Sequence, residues 1–324
     1  MLKLEGKQAD MLLSCLKNWQ LIDGNGMEGD SLTLSLFSEG ISGIPSKGEK
    51  YEVYLDDIHR DTFQISKRSA KLSPKEVCLV LSVAPFSVTD ASGFRAKRSA
   101  SWNKASIAEI MQDCLLPHGY SIFVHPKLQN IEIEHIDRTD EGCAAFLRRL
   151  AKQYDAIAKP VSETYVMAPK GEVISASGAA IETLTLSLPS NNDPQLPNFV
   201  NVDIELDGRE EFGGVSAFYL STDSGHRNEV NTGNAPFKAL GKDFKSKEEA
   251  EQACFTELRR ITREGRKVNI VAPANSVVFA EGLVVLDKTF DELYQGISSI
   301  DTVTFSGQGR QVKSMTIQAT LTGA

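Results

Sequence analysis

The sequence predicts a β-rich α+β fold, with a β-rich region over about residues 1–100, a small α/β unit over about 101–175, and a second β-rich region over about 176–324 carrying one long helix, about 246–264. Strict alternation in Ser31–Phe37 (SLTLSLF) sets Leu32, Leu34 and Leu36 against small polar residues, which marks a strand with one buried face. Near Trp102 the apolar spacing changes to that of helices. It returns to alternation at Thr183–Leu188 (TLTLSL) and at Val312–Leu321, where Met315, Ile317, Ala319 and Leu321 alternate with Thr316, Gln318 and Thr320. With 324 residues the chain exceeds one compact core, and two or three domains are expected.

In the first region, Lys50–Leu55, Thr62–Ile65 and Glu76–Val83 continue the strand pattern between Gly, Pro, Asp and Ser. Closely spaced short strands of this kind suggest a small barrel or sandwich. Ser106 and Glu109 have capping-box spacing, and Ile107, Ile110, Met111, Cys114 and Leu115 form a helical stripe ended by Pro117 and Gly119. Strands are expected at Tyr120–Val124 and Ile131–Glu134. A second helix is expected after Thr139, with Asp140 and Glu141 near its N-terminal dipole. Its stripe is Cys143, Phe146, Leu147, Leu150 and Tyr154, with Arg148, Arg149 and Lys152 facing water. Ser246 and Glu249 repeat the capping box ahead of Ala250, Cys254, Leu258 and Ile261, and Gly265 stops that helix. Pro189–Pro197 reads as a loop.

The composition, 41% hydrophobic and 24% charged, is that of an ordinary globular protein. The formal net charge of −8, from 35 basic and 43 acidic residues, argues against a predominantly nucleic-acid-binding domain. The basic clusters Arg95, Lys97, Arg98 and Arg259, Arg260, Arg263, Arg266, Lys267 read as solvated surface. The cysteines at 15, 78, 114, 143 and 254 have no metal-ligand spacing and suggest no disulfide framework. Neither a signal core nor a long apolar run is present, so neither cleavable export nor membrane anchoring is expected, and a reducing cytoplasm is the expected place of synthesis.

No catalytic constellation emerges. GxSxG, HExxH, P-loop and dinucleotide fingerprints are all missing. His59, His118, His125, His135 and His226 are scattered and read as surface or turn residues. Asp56-Asp57 reads as a polar turn, because it lacks the further oxygens of a Ca²⁺ site. Trp102 lies beside the basic 95–98 stretch, a pairing compatible with base stacking but commoner where a barrel meets a helix. No catalytic, cofactor-binding or metal-binding residue is expected.

Three stretches, taken in order, resemble the late-control D proteins, the tail hub family of P2-like contractile phages and phage-tail-like bacteriocins. They are Asp30–Phe37 with Ile44-Pro45 and Gly48; Arg98–Trp102 running into the Ser106–Leu116 helix and His118-Gly119-Tyr120; and His135–Ala156 (HIDRTDEGCAAFLRRLAKQYDA). The third is the most specific. The chain departs from the family pattern with Arg138 where Gln is common, Gly142-Cys143 where Ser-Asp is common, and Asp155 where Gly is common.

The resemblance implies a non-enzymatic structural protein at the tail tip or baseplate. It further implies a homotrimeric torus whose chains each supply two related β-barrels with an intervening small α/β domain. The hub would join a hexameric tail tube, or its initiator protein, to a trimeric spike, beside baseplate wedge proteins and a tape-measure protein, with no specific nucleic acid. The amino-terminal part of type VI secretion spike proteins is similar, and with no spike-like repeat region in this sequence the spike is expected to be another polypeptide. The near repeat SLTLSL/TLTLSL would then fall once in each barrel, in separate sheets, with Val312–Leu321 closing the second. Edge strands would pair between neighbours, and Thr316, Gln318 and Thr320 would face the channel. A tail-associated cell-wall hydrolase and a monomeric β-rich ligand-binding module are the competing expectations.

Overall fold

The computed structural model describes residues 1–26, 29–37, 39, 43–73, 75–83, 93–94, 96–161, 164–172, 183–189, 197–206, 212–221 and 225–322. The first β region contains β1 (Leu2–Gly6), α1 (Ala9–Ser14), β2 (Leu16–Gly24), β3 (Ser31–Phe37), β4 (Lys50–Leu55), β5 (Ile58–Leu72) and β6 (Lys75–Val83). The α/β unit follows as β7 (Arg98–Ser106), α2 (Ile107–Leu115), β8 (Ser121–Val124), α3 (Pro126–Gln129), β9 (Glu132–Glu141), α4 (Cys143–Lys152), β10 (Ala156–Val161) and β11 (Thr164–Pro169). The second β region opens with β12 (Thr183–Leu186) and β13 (Asn201–Leu206). It is then interrupted by β14 (Gly214–Leu220), β15 (Arg227–Gly233), β16 (Phe237–Phe244) and α5 (Lys247–Glu264), and ends with β17 (Arg266–Ala272), β18 (Leu283–Leu286), β19 (Gly296–Gln308) and β20 (Gln311–Leu321). Arg95 and most of the 189–197 loop lie outside the described residues.

The β-rich α+β class is what the structure shows. The expectation that the two β regions occupy separate sheets requires correction. Their strands belong to one twelve-stranded sheet in the order β1-β4-β5-β6-β3-β2-β19-β20-β17-β13, with β18 on β19 and β12 on β18. The seam is β2 against β19, where Trp19 faces Gly307, Leu21 faces Phe305 and Asp23 faces Val303. Trp19, Leu21, Val303 and Phe305 are all buried, and one apolar core runs through both halves. The reason is pattern continuity. At the seam Trp19 and Leu21 of β2 and Val303 and Phe305 of β19 alternate with polar residues in phase, so their apolar side chains share one buried face. The carboxylate of Asp23 at its end is met by Arg60 and Lys159.

Each half nevertheless curls back on itself. The Leu2 N–H donates to Arg310 O in the β19–β20 turn (2.7 Å), while Gly309 N–H and Trp19 Nε1–H link that turn to β2. Helix α1 bridges β1 and β2, burying Leu12 and Leu13. In the second half, Asn198, just before β13, donates from Nδ2 to Thr185 O of β12 (2.7 Å) and accepts from Ser187 N–H. Six strands in each half thus approach a ring, and the two rings are fused side by side.

The α/β unit has its own core, where α2 and α4 pack on the β10-β11-β8 sheet. Ser106 and Glu109 form the reciprocal capping box that starts α2. Helix α4 begins at Cys143, later than expected, because Asp140 and Glu141 are spent in the β7–β9 ladder, which pairs Arg98 with Glu141. Gly142 then caps it without a side-chain bond. The second region holds a further unit that the periodicity does not announce. Strands β15-β14-β16 carry α5, and Val215, Ala217, Cys254 and Ile261 form a separate small core there.

Candidate assembly surfaces

Alternation leaves the sheet with a second, outward face. On it Gln20 and Ile22 of β2 lie beside Thr33 and Ser31 of β3, and across the seam beside Ser306 and Thr304 of β19. Thr304 pairs with Thr316, and Gln318 with Asn269. The Ser306 and Ser314 hydroxyls lie 2.8 Å apart. The centre of this face is therefore a band of hydroxyl and amide groups, wettable and free of charge. Thr316 and Gln318 are exposed on it as expected. Thr320 is not, because its hydroxyl accepts from the buried Arg263 guanidinium.

The face ends at two unpaired edges. Strand β5 outruns its neighbour β4, whose ladder reaches Gln64. Ile65 still bonds to the approach to β4, at Gly48 and Glu49. From Ser66 to Leu72 the only ladder among the described residues is with β6. At the far end, β13 pairs with β17 alone among the described residues. Among the described residues each edge leaves alternate backbone N–H and C=O groups without a ladder partner.

Two buried ionic clusters bind the outer units to this sheet. Asp155, after α4, receives Arg263 of α5 through Nη2 and Nε, both at 3.2 Å, and lies 3.7 Å from Arg259. Asp155 has φ 45°, a left-handed conformation that explains why Gly is common there in the resembled family. This chain places a carboxylate at that bend and uses it to hold two arginines. The second cluster borders a cavity of about 350 Å³ between β2, β5, β10 and the turn before β18. There Lys159 lies 2.8 Å from Glu281 and donates to Gly24 O at 3.1 Å. Burial works against the Lys159 charge, but Glu281, Asp23 and Asp30 around it hold its pKa above the ordinary value. Burial, reinforced by Asp23, pushes Asp30 up to about 7. Arg60 lies between the Phe279 and Phe305 rings at 4.0 and 4.7 Å, and burial lowers its pKa to about 10. Glu281 and Asp23 are thus met by the buried cations of Lys159 and Arg60, an arrangement that fixes parts together.

The histidines do not converge. His59 bonds Glu52, His135 bonds Asn103 and Asp137, His125 accepts from Lys127 N–H, and His118 meets the Phe94 ring edge-on. Asp56 lies in a positive-φ turn and contacts the amino terminus and Ser276. Among the described residues no group of three or more His, Cys, Asp or Glu could hold a metal ion. Trp102 stacks on Phe146 (5.2 Å) and donates to Asp113, as a junction residue does. The 259–266 arginines are consumed internally, since Arg260 pairs with Glu257 and Glu264, and Arg266 donates to the Gln295 and Tyr294 carbonyls. Sequence reasoning read this run as solvated surface. The missed signal was the four-residue spacing of Arg259 and Arg263 on one helix, whose partners Asp155 and Glu172 come from a distant segment.

The fold of two fused six-strand rings is shared with solved phage tail proteins. The structure superposes on the 43 kDa tail protein of prophage MuSo2 from Shewanella oneidensis with TM-score 0.69 and 12% identity, over 99% of this chain and 98% of that one. It also superposes on an E. coli component of the type VI secretion system with TM-score 0.55 and 11% identity, over 98% of this chain and 76% of that one; that protein is described as structurally similar to T4 tail proteins. In sequence the chain is 25% identical over 225 residues to a protein of Escherichia phage P2 described as a probable baseplate hub protein, covering 68% of this chain and 54% of that protein. The chain thus spans about half the length of the curated relatives it matches. No family model matches it.

Proposed function

We propose that this chain is a non-enzymatic hub of a contractile phage-type tail, a ring of three copies between the tail tube and the spike. The observation that carries this is the uninterrupted run β5-β6-β3-β2-β19-β20-β17-β13, eight strands with one polar face and, among the described residues, no ladder partner beyond Ser66–Leu72 of β5 at one end and beyond β13 at the other. At a strand spacing of about 4.8 Å and a tilt of about 40°, three such runs joined edge to edge close a barrel with a backbone diameter on the order of 45–50 Å. Its wall would present the Thr, Ser, Gln and Asn band to the lumen, a surface that water wets and that holds a passing polymer by no strong charge.

The two fused rings in each chain give three copies six near-equivalent outer surfaces, which suits a six-fold tube, and three identical faces for a three-fold spike. Wedge and tape-measure proteins would meet the exposed α/β units and the lumen. Light scattering of the purified chain and reconstruction of the assembled particle test the proposal. Three copies with the two halves related by a rotation near 60° about the tail axis are expected. Six copies, or halves without that relation, would overturn it.

A further inference from the structure

We infer that the ring closes by strand addition between Ser66–Leu72 of β5 in one copy and β13 of the next, in one defined register held by opposite charges. This rests on the hub proposal and assigns its interface. The eight strands alternate in direction from β5 to β13, since all seven neighbouring pairs are antiparallel. An even number of alternating strands leaves the two ends running oppositely. Rotation about the ring axis therefore brings β5 of a second copy alongside β13 antiparallel, in keeping with the rest of the wall.

The side chains select the register. A bulge at Ser66 resets β5, so that Lys67, Ser69 and Lys71 share the polar face with Val80, Cys78 and Glu76, while Arg68, Ala70 and Leu72 share the other with Leu79, Val77 and Lys75. On β13, Asn201, Asp203 and Glu205 lie on the polar face, and Val202 and Ile204 pack toward the core. Antiparallel pairing then sets Lys67 opposite Glu205, Ser69 opposite Asp203 and Lys71 opposite Asn201, with Asp203 diagonal to both lysines. On the reverse face it sets Ala70 opposite Val202 and Leu72 opposite Val200. Leu72 (84%) and Val200 (73%) are the two most exposed large apolar residues described, and this register covers each with the other. Like edges do not match. Two β5 edges would oppose lysines and two β13 edges would oppose carboxylates, which disfavours two-fold dimers and leaves the head-to-tail contact that closes a ring.

The test uses the full chain. Lys67→Glu with Lys71→Glu is expected to shift the trimer to monomer in light scattering, as is Asp203→Lys with Glu205→Lys, and combining all four changes is expected to restore the trimer. Leu72→Cys together with Val200→Cys is expected to give a covalent trimer ladder with a short bismaleimide, and either single variant none. A wild-type chain that is monomeric both alone and in the particle overturns the hub proposal and this one together. A wild-type trimer that survives either charge reversal, or gives no 72–200 cross-link, overturns this interface and leaves the hub standing.

Discussion

Removing the Asp155 carboxylate should unlock α5 from the α/β unit, and the loss can be worked out from its partners. Asp155 is 4% exposed and Arg263 is 2% exposed. In Asp155→Ala, Arg263 keeps the Thr320 hydroxyl and the more distant carboxylates of Asp301 at 3.6 Å and Glu264 at 3.7 Å, and Arg259 keeps Glu172 at 3.5 Å. Two buried guanidinium groups then lose their central counter-charge, a change that costs about 3–5 kcal/mol in comparable pairs. The φ of 45° adds strain for Ala, so Asp155→Gly should be milder than Asp155→Ala by about 1 kcal/mol. The double variant Asp155→Ala/Arg263→Met removes the stranded charge and should recover more than half of the loss. Urea denaturation followed by tryptophan fluorescence measures all of these. A cost below about 1 kcal/mol for Asp155→Ala, or a double variant no more stable than the single, would refute the ionic lock.

Leu150→Ala, at a fully buried position, should cost about 2–5 kcal/mol, while Arg148→Ala on the exposed face of α4 should be near neutral; equal thermal shifts would mean the face is misassigned. Gly307→Ala drives a Cβ into the Trp19 ring and the Gln311 carbonyl and should destabilise the seam by about 1–3 kcal/mol, read as a lower urea midpoint. Asp30 has a folded-state pKa of about 7 against an ordinary 3.8. The folded chain therefore holds a proton that the unfolded chain releases, and stability present below pH 3.8 is lost as pH rises through 7. Asp30→Asn should lose this slope, and an unchanged pH profile would contradict it. Metal analysis of the purified protein should show no stoichiometric ion whose chelation removes a function.

Local signals were legible where chain neighbours decide the structure. The Ser106–Glu109 and Ser246–Glu249 spacings marked the starts of α2 and α5, and the Leu32, Leu34, Leu36 alternation marked β3 and its buried face. Alternation in β20 likewise located Thr316 and Gln318 on the polar face. It misplaced Thr320 because Arg263, which claims that hydroxyl, arrives from another unit. The β2–β19 seam was illegible for the same reason, since periodicity names a strand's faces but not its neighbours. Strands β15 and β16 were missed because Arg227–Gly233 and Phe237–Phe244 bury little more than Val230 and Phe244, which leaves no apolar rhythm to detect.

The seam also has a consequence for timing. Strand β2 gains its second neighbour only from residues 302–308, and Leu2, already paired with Leu55, gains its bond to Arg310 O only from the same late segment. During synthesis the first half therefore leaves the ribosome with its inner edge bare and its ring open, waiting for the last strands. Long-range pairings of this kind form late and slowly. A chain broken off before β19 retains Ser66–Leu72 but lacks β20 and the seam, so it presents an edge without a completed wall behind it. Synthesis through β20 is therefore what completes the wall, and a copy stalled or clipped before β19 lacks the seam.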